Sequence, residues 1–168
     1  MNSDFIKKNI IVDASIGVKW FSSENEKKVE LAIQLREKHF TGKIELHAPD
    51  LFIFEVLNSL VYKNKFNMSE INNIYDSLKL LYLKIIIPDD NLIKNAVSLS
   101  VNLKLSYYDS VYVALAQKMG APFITEDKKI LSHADEYKFI KNLDYVQDIK
   151  IRYDDYLIGL KNLKDINE

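Results

Sequence analysis

The sequence contains no cysteine, and this absence excludes several kinds of site at once. Disulfide bonds, thiolate-bound zinc and cysteine nucleophiles are all impossible in this chain. A small chain without disulfides is typical of the cytosol. The N-terminal residues also lack an apolar segment long enough for a signal peptide or a membrane span. We therefore expect a soluble, cytoplasmic protein that does not bind membranes.

A surplus of positive charge is missing as well. Lys and Arg total 23 while Asp and Glu total 24, so the net charge offers no general attraction to nucleic acid. Any nucleic-acid site must therefore be a local patch. The 168 residues, of which 48% are apolar and 28% charged, are typical of one globular domain with a single core. The sequence shows no internal repeat and no low-complexity segment.

Short apolar runs alternate with helical patterns along the chain. The runs predict strands near residues 10–13, 44–48, 85–87, 122–125 and 139–140, the last of them at a sheet edge. The patterns between them predict helices that include residues 26–39, 51–62 and 106–119. Strands separated by helices pair in parallel through right-handed crossovers, and apolar runs without alternation are covered on both faces. The expected fold is α/β, a three-layer α/β/α sandwich with a central parallel sheet of four to five strands.

The domain is predicted to span residues 1–145, followed by a C-terminal extension over residues 146–168. The extension is charged, but four of its apolar residues recur at helical spacing. These residues are Tyr156, Leu157, Leu160 and Leu163. We expect a terminal helix that packs on the same domain.

Local signals give three further expectations. Ser15 and Ser69 are predicted to cap helices. The helix after Pro88 is expected to turn five apolar residues inward, namely Leu92, Ile93, Ala96, Val97 and Leu99. The three histidines, His39, His47 and His133, are expected at the surface.

Two acidic residues follow predicted strands directly. Asp13 ends the first apolar run and precedes Ala14 and Ser15, and Asp127 follows the fourth strand. Each has a simple structural explanation, because Asp13 suits a turn and Asp127 suits the cap of a short helix. The carboxyl ends of parallel strands, however, form the edge of an α/β sheet where ligands usually bind.

Two more acidic residues lie on predicted helices. Glu55 interrupts an apolar helix face and shares one side of that helix with Asn58. Asp109 lies three residues after Ser106, the spacing of a capping box. Glu55 could simply lie at the rim of the core, and Asp109 could simply cap its helix. Both helices must nevertheless pack beside the strands that carry the other two acids.

The joint placement of the four acids at one sheet edge is what indicates a functional site. Neighbouring carboxylates repel by about 4 kcal/mol per pair at 4 Å for an effective dielectric constant near 20, so some would take up protons without compensation. A divalent cation is the natural compensation, and ligands that are all oxygen indicate magnesium or manganese rather than zinc. A hydrated cation of this kind supports hydrolysis of phosphodiesters.

Four short segments resemble the PIN-domain nucleases, in particular the VapC-like toxins of toxin–antitoxin systems. They are residues 11–15 (IVDAS), 54–58 (FEVLN), 108–116 (YDSVYVALA) and 125–129 (TEDKK). The resemblance covers about residues 9–143, with the segments in the right order.

The resemblance implies a magnesium- or manganese-dependent endoribonuclease that is the toxin of a toxin–antitoxin pair. The catalytic, metal-binding acids would be Asp13, Glu55, Asp109 and Asp127. Ser15, Asn58 and Thr125 would support them. The implied partners are an RNA substrate, a small antitoxin protein that inserts a segment into the acidic cleft, and a second copy of the chain in a homodimer.

RNA also needs basic and aromatic neighbours near an acidic cleft. The lysines that the sequence places nearest to it are Lys19, Lys63, Lys65, Lys128 and Lys129. Lys19, Lys63 and Lys128 are the candidates for RNA contact, and a solvated surface lysine is the more ordinary explanation of each. Trp20, Tyr107 and Tyr108 are candidates for stacking on unpaired bases, with ordinary packing as the alternative.

Three other interpretations compete with a nuclease. The first is a catalytically inactive PIN-fold module that binds RNA or protein. The second is a phosphotransferase of the haloacid-dehalogenase type, which also begins with a strand ending in Asp but has a second acid where this chain has Ser15. The third, a receiver-type signalling domain, would leave Glu55 and Asp109 without a shared task.

Overall fold

Five short strands form the centre of the fold in a computed structural model, which describes residues 8–63 and 65–149. The strands are β1 (Lys8–Val12), β2 (Ile44–Pro49), β3 (Lys84–Ile86), β4 (Phe123–Ile124) and β5 (Ile140–Lys141). All neighbouring pairs are parallel, and the order across the sheet is β3-β2-β1-β4-β5. The predicted parallel α/β sheet is confirmed.

Eight helices connect and follow the strands within the described residues. They are α1 (Ala14–Lys19), α2 (Val29–Phe40), α3 (Leu51–Tyr62), α4 (Met68–Leu80), α5 (Asp90–Leu103), α6 (Tyr107–Met119), α7 (Lys128–Leu131) and α8 (Tyr145–Asp148). The strand order first runs outward from β1 to β3 and then returns to β4 on the other side of β1. With right-handed crossovers this reversal places α1 to α4 on one face of the sheet and α5 and α6 on the other. The packing agrees, because α1 contacts α2 and α3 while α6 contacts β1, β2 and β4.

The central position of β1 explains its unbroken apolar sequence. Ile10, Ile11 and Val12 are all fully buried, because helices cover both faces of the sheet at its centre. The third strand differs. Ile85 and Ile87 are 38% and 79% exposed, so the expectation that this run is covered on both faces is wrong. Since β3 is the edge strand beside β2, its outer side has no neighbour in the sheet.

Close contact between α1 and α3 depends on Gly17. A Cβ atom on Gly17 would lie 2.6 Å from Cζ of Phe52 and 2.6 Å from Cγ2 of Val56, both on α3. Only a residue without a side chain lets the two helices approach so closely. This contact sets the distance between Asp13, which precedes α1, and Glu55 on α3.

Two predicted helix caps are wrong. Asp13, not Ser15, is the N-cap residue of α1, because the helix begins directly after the strand. The N-cap of α4 is Asn67 rather than Ser69, because the Asn67 side chain accepts a hydrogen bond from the Glu70 N–H at 3.0 Å. Glu70 returns a bond to the Asn67 N–H at 2.7 Å and completes a capping box.

The helix α6 has the ends that the sequence predicts. Ser106 is its N-cap, and Gly120 ends it in the left-handed region at φ 58°. In contrast, α2 begins three residues later than predicted, because Lys28 adopts φ 58° and prevents an earlier helical start. Glu26 therefore lies in the loop that precedes α2.

Several side chains lie elsewhere than expected. His47 is buried rather than at the surface, since it belongs to β2 near the middle of the sheet, and burial lowers its pKa. Ile93 and Val97 are 39% and 50% exposed instead of facing the core, because the inward face of α5 is narrower than the apolar pattern. Trp20 is buried and donates to the Ala32 carbonyl at 2.9 Å, so it packs in the core and is not available to stack on bases.

The described core continues to the last described residues. Val146 on α8 and Ile149 after it are buried, and α8 contacts α2. The remainder of the predicted C-terminal extension, residues 150–168, lies outside the described part of the chain. Within residues 8–63 and 65–149, no helix is long and apolar enough to cross a membrane.

Candidate active site

A polar cleft of about 230 Å³ opens beyond the carboxyl end of β1. It lies beside the point where the strand order reverses between β1 and β4, which is where open α/β sheets bind ligands. Nine residues line it: Asp13, Ala14, Ser15, Glu55, Asn58, Ser59, Asp109, Tyr112 and Asp127. The structure thus brings all four predicted acids to one cleft, together with Ser15 and Asn58.

Asp13 lies at the floor of this cleft and is only 5% exposed. Its Oδ1 accepts a hydrogen bond from the Ser15 hydroxyl at 2.5 Å, and its Oδ2 accepts one from the Thr125 hydroxyl at 2.5 Å. Burial raises the pKa of Asp13 to about 6, although the two hydroxyl bonds oppose that shift. The nearby Asp127 carboxylate raises this pKa further.

The same two hydroxyls join the end of β1 to the loop after β4. Ser15 Oγ accepts the Glu126 N–H at 2.9 Å, and Thr125 Oγ1 accepts the Asp127 N–H at 3.0 Å. Because each hydroxyl oxygen already accepts from the backbone, its proton is directed toward Asp13. Ser15 and Thr125 therefore fix both the carboxylate and the loop that carries Asp127.

Glu55 is held by a residue that sequence reasoning missed. The Tyr112 hydroxyl donates to Glu55 Oε2 at 2.6 Å, and the Tyr112 ring stacks on Phe123 of β4 with the ring centroids 5.8 Å apart. Burial raises the pKa of Tyr112 far above its ordinary value, and the Glu55 charge adds to this, so the hydroxyl keeps its proton. Burial also raises the pKa of Glu55, against the Tyr112 bond and with the help of Asp109. Tyr112 follows Asp109 by three residues on α6, a spacing that places both on one helix face.

Asp109 and Asp127 have structural roles as well as a place in the cleft. Ser106 Oγ accepts the Asp109 N–H at 3.0 Å, which is the hydroxyl half of the predicted capping box. Asp127 caps α7, because its Oδ1 accepts from the N–H groups of Lys129 and Ile130 at 2.7 and 3.1 Å. The structural explanation and the site assignment are therefore compatible for both residues.

The cleft has the ligand chemistry of a hard divalent cation. Its acids are coupled electrostatically in two pairs, Asp13 with Asp127 and Glu55 with Asp109. Among the described residues, no three His, Cys, Asp or Glu side chains are placed to hold a metal ion directly as a group. Mg²⁺ keeps several water ligands and binds through one or two carboxylates. Oxygen ligands spread around an open cleft fit such a partly hydrated ion.

The three predicted RNA-binding lysines differ in exposure. Lys19 is 5% exposed and pairs with Glu26 at 2.5 Å, so the alternative that it is a solvated lysine is wrong. Lys63 also pairs with Glu26, at 2.7 Å. Lys128 lies exposed in the first turn of α7, next to Asp127.

Replacing Tyr112 by phenylalanine should lower kcat/KM for the reaction of this cleft by roughly 10-fold, the range expected when the support of a ligand is lost. The Tyr112 bond lowers the pKa of Glu55, so its loss should raise that pKa and move the acidic limb of the pH–rate profile to higher pH. The exposed Tyr82 supplies the matched control, because Tyr82→Phe removes the same hydroxyl at a position that is 75% exposed and does not line the cleft. An unshifted pH profile in Tyr112→Phe would contradict a positioning role.

Comparison with known proteins gives a matching family model and a similar curated sequence. The family model described as PIN domain matches residues 10–137. Ribonuclease VapC3 of Pyrobaculum aerophilum is 27% identical over 126 residues, which cover 72% of this chain and 91% of that protein.

Solved structures match the fold. PAE2754 from Pyrobaculum aerophilum superimposes with a TM-score of 0.61 at 16% identity, covering 84% of this chain and 95% of its own. VapC20 of Mycobacterium tuberculosis, described as a toxin that cleaves the sarcin–ricin loop, gives a TM-score of 0.55 at 14% identity. That match covers 73% of this chain and 94% of VapC20.

Proposed function

Because the chain belongs to the PIN-domain family, we propose that it is a divalent-metal-dependent endoribonuclease and the toxin of a toxin–antitoxin pair. The observation that carries the proposal is the arrangement of Asp13, Glu55, Asp109 and Asp127 around one cleft at the sheet reversal. All four lie inside the stretch that matches the family. RNA as substrate also agrees with VapC3, a relative that is named a ribonuclease.

Mg²⁺ or Mn²⁺ would bind among the four carboxylates, with one or two of them in direct contact with the ion and the others reaching it through its water ligands. When bound, such a cation supplies positive charge against the scissile phosphate and makes a water molecule more acidic. Asp13 is the central ligand in this proposal, because Ser15 and Thr125 fix both of its oxygens. Asn58 and Ser59, on the same wall of the cleft as Glu55, offer polar groups to the RNA backbone.

With Asp13 assigned to the cation, Glu55 is the acid that we propose to accept a proton from the attacking water. A general base works best when its pKa lies nearer to the working pH than that of an ordinary carboxylate, and burial shifts Glu55 in that direction. Tyr112 holds Oε2 and keeps the carboxylate oriented toward the cleft. The exposed Lys128 and the 61% exposed Tyr108 are the residues proposed to contact the RNA strand nearby.

The partners follow from the relatives. VapC20 is described as a toxin, and we propose that this chain is likewise paired with a small antitoxin protein that covers the acidic cleft. We retain as predictions the homodimer that the family resemblance implies and the cytoplasmic location that the sequence indicates. The haloacid-dehalogenase alternative is not favoured, because the place of its second acid is taken by Ser15, whose hydroxyl is bonded to Asp13.

Cleavage of RNA in the presence and absence of metal tests the function directly. The protein should cut single-stranded RNA internally with Mg²⁺ or Mn²⁺, lose activity in EDTA and regain it when the metal is restored. Gel separation of end-labelled products distinguishes internal cuts from exonuclease shortening. RNA binding without turnover in both metals would instead support the catalytically inactive binding module.

A further inference from the structure

A second charged cluster lies beside the cleft. The Glu26 carboxylate receives two ammonium groups, from Lys19 through Oε2 at 2.5 Å and from Lys63 through Oε1 at 2.7 Å. Lys19 is nearly buried, while the side chains of Glu26 and Lys63 are 20% and 26% exposed. Burial alone would raise the pKa of Glu26, yet the two lysines hold it below its ordinary value. The cluster therefore consists of two ammonium groups that share one carboxylate, and this carboxylate is partly exposed to solvent.

The two lysines stand one helical turn from the cleft on neighbouring helices. Lys19 follows Ser15 by four residues on α1, and Lys63 follows Ser59 by four residues at the end of α3. Ser15 and Ser59 both line the cleft. Residues four apart on a helix are neighbours on one face, so each lysine lies one turn from a serine that lines the cleft.

The loop that carries Glu26 is held by ion pairs rather than by its backbone preference. Asn25 and Lys28 on either side of Glu26 adopt φ 56° and 58°, a region that residues other than glycine rarely occupy. Lys28 is tied to Asp144 at 2.8 Å, and Glu24 pairs with Lys65. The loop would therefore release Glu26 when another anion replaces its carboxylate at the lysine ammonium groups.

We propose that Lys19 and Lys63 form a phosphate subsite for the RNA strand beside the cleft, and that the Glu26 carboxylate occupies this subsite when RNA is absent. A phosphodiester and a carboxylate each carry one negative charge and accept charge-assisted hydrogen bonds, so their exchange keeps both ammonium groups paired. Glu26 then moves into solvent. The subsite extends the proposed ribonuclease function, on which it rests, by one backbone contact outside the acidic cleft.

Binding of a short single-stranded RNA, measured by fluorescence anisotropy in EDTA so that no strand is cut, tests the competition. Glu26→Gln should tighten binding by roughly fivefold, because a neutral amide competes less well than a carboxylate for the ammonium pair. The salt dependence of log K should steepen by about 0.7, the value for one additional phosphate contact on a single strand. Glu24→Gln is the matched control. It removes the same charge from the same loop, but the carboxylate that is lost pairs with Lys65 and not with Lys19 or Lys63.

Equal effects of Glu26→Gln and Glu24→Gln, or weaker binding in Glu26→Gln, would overturn the proposal and leave the cluster a structural link between loops. A second pair of variants covers the case in which Glu26→Gln does not fold. Lys63→Gln keeps the pair between Lys19 and Glu26 and should weaken RNA binding more than Lys65→Gln does. No difference between these two lysine variants would also overturn it.

Inorganic phosphate separates this proposal from the ribonuclease assignment. At matched ionic strength, phosphate should raise the melting temperature of Glu26→Gln relative to chloride, and should raise that of Glu24→Gln less. This readout involves neither RNA nor cleavage. Wild-type protein that neither binds nor cuts RNA would refute the proposed function, while the phosphate shift would still decide whether the two lysines accept an oxyanion.

Discussion

Replacing Asp13 by asparagine should abolish RNA cleavage and at the same time make the metal-free protein more stable. The loss of a central anionic ligand is expected to lower kcat/KM by about 1,000-fold, equivalent to about 4 kcal/mol of transition-state stabilisation. The gain in stability arises because the Asp13 carboxylate is buried next to that of Asp127. Asparagine has nearly the same shape and no charge: its Oδ1 accepts one of the two hydroxyl protons, and its Nδ2 donates to the other hydroxyl oxygen, which then turns its proton away.

The size of the gain follows from the pKa of Asp13. Burial raises it from 3.8 to about 6, so the folded protein binds a proton over a range in which the unfolded chain has already lost it. Wild-type stability should therefore fall as the pH rises from about 4 to about 6, by about 3 kcal/mol in total. The Asp13→Asn variant lacks this loss, and its melting temperature at neutral pH should be roughly 8 °C higher.

Thermal unfolding in EDTA across this pH range, together with a cleavage assay, measures both effects. Mg²⁺ should raise the melting temperature of the wild type and much less that of the variant, because the wild type gains a ligand for its buried charge. Asp135→Asn provides the control, since Asp135 is fully exposed and its pair with Lys138 lies within one surface turn. A variant that is less stable than the wild type at neutral pH, or that still cleaves RNA fully, would contradict the role given to Asp13.

Replacing Gly17 by alanine should disturb the site without touching any of its residues. The added methyl group meets Phe52 and Val56 at 2.6 Å, so α1 and α3 must separate. Overpacking of this kind costs about 1–3 kcal/mol, and the better helix propensity of alanine returns about 1 kcal/mol. The contact between α1 and α3 sets the distance from Asp13 to Glu55. A displacement of the two helices by about 1 Å should therefore reduce cleavage by roughly 100-fold.

A double-mutant cycle with Val56→Ala distinguishes this crowding from a general loss of stability. Val56→Ala removes one of the two atoms in the clash, so the double variant should be more stable than the sum of the single effects by about 1 kcal/mol. Gly120→Ala is the matched control: it sits at φ 58° with no atom within 4 Å of the added methyl, so it should lose stability through its backbone alone. If the stability changes of Gly17→Ala and Val56→Ala are strictly additive, the contact between α1 and α3 tolerates the methyl group.

The sequence was sufficient for features that depend on local patterns. The uniformly apolar run 10–12 predicts a covered central strand, and the serine before α6 and the glycine after it predict both helix ends. Placement of the four acids could be predicted because parallel strands share one carboxyl edge, whatever their order. The lateral order of the strands could not be predicted. For this reason the apolar run predicts a covered strand at Ile85 and Ile87, although β3 lies at the edge of the sheet.

Features that depend on partners distant in sequence were missed. Tyr112 is one aromatic among 18 Phe and Tyr residues, and only the fold brings its hydroxyl to Glu55, 57 positions earlier. The burial of Lys19 likewise depends on Glu26, which the helical pattern assigned to α2. A backbone turn at Lys28 with positive φ placed Glu26 in a loop instead, and no short-range signal indicates such a turn at a lysine.

Trp20 gives the protein an internal optical reporter. It is the single tryptophan of the chain, and it follows Lys19 directly at the end of α1. Its ring lies against Phe52 of α3 with the centroids 6.0 Å apart, and its indole N–H is bonded to α2. Any opening of this three-helix junction admits water to the indole and shifts its emission to longer wavelength, so the region next to the cleft can be followed without an attached dye.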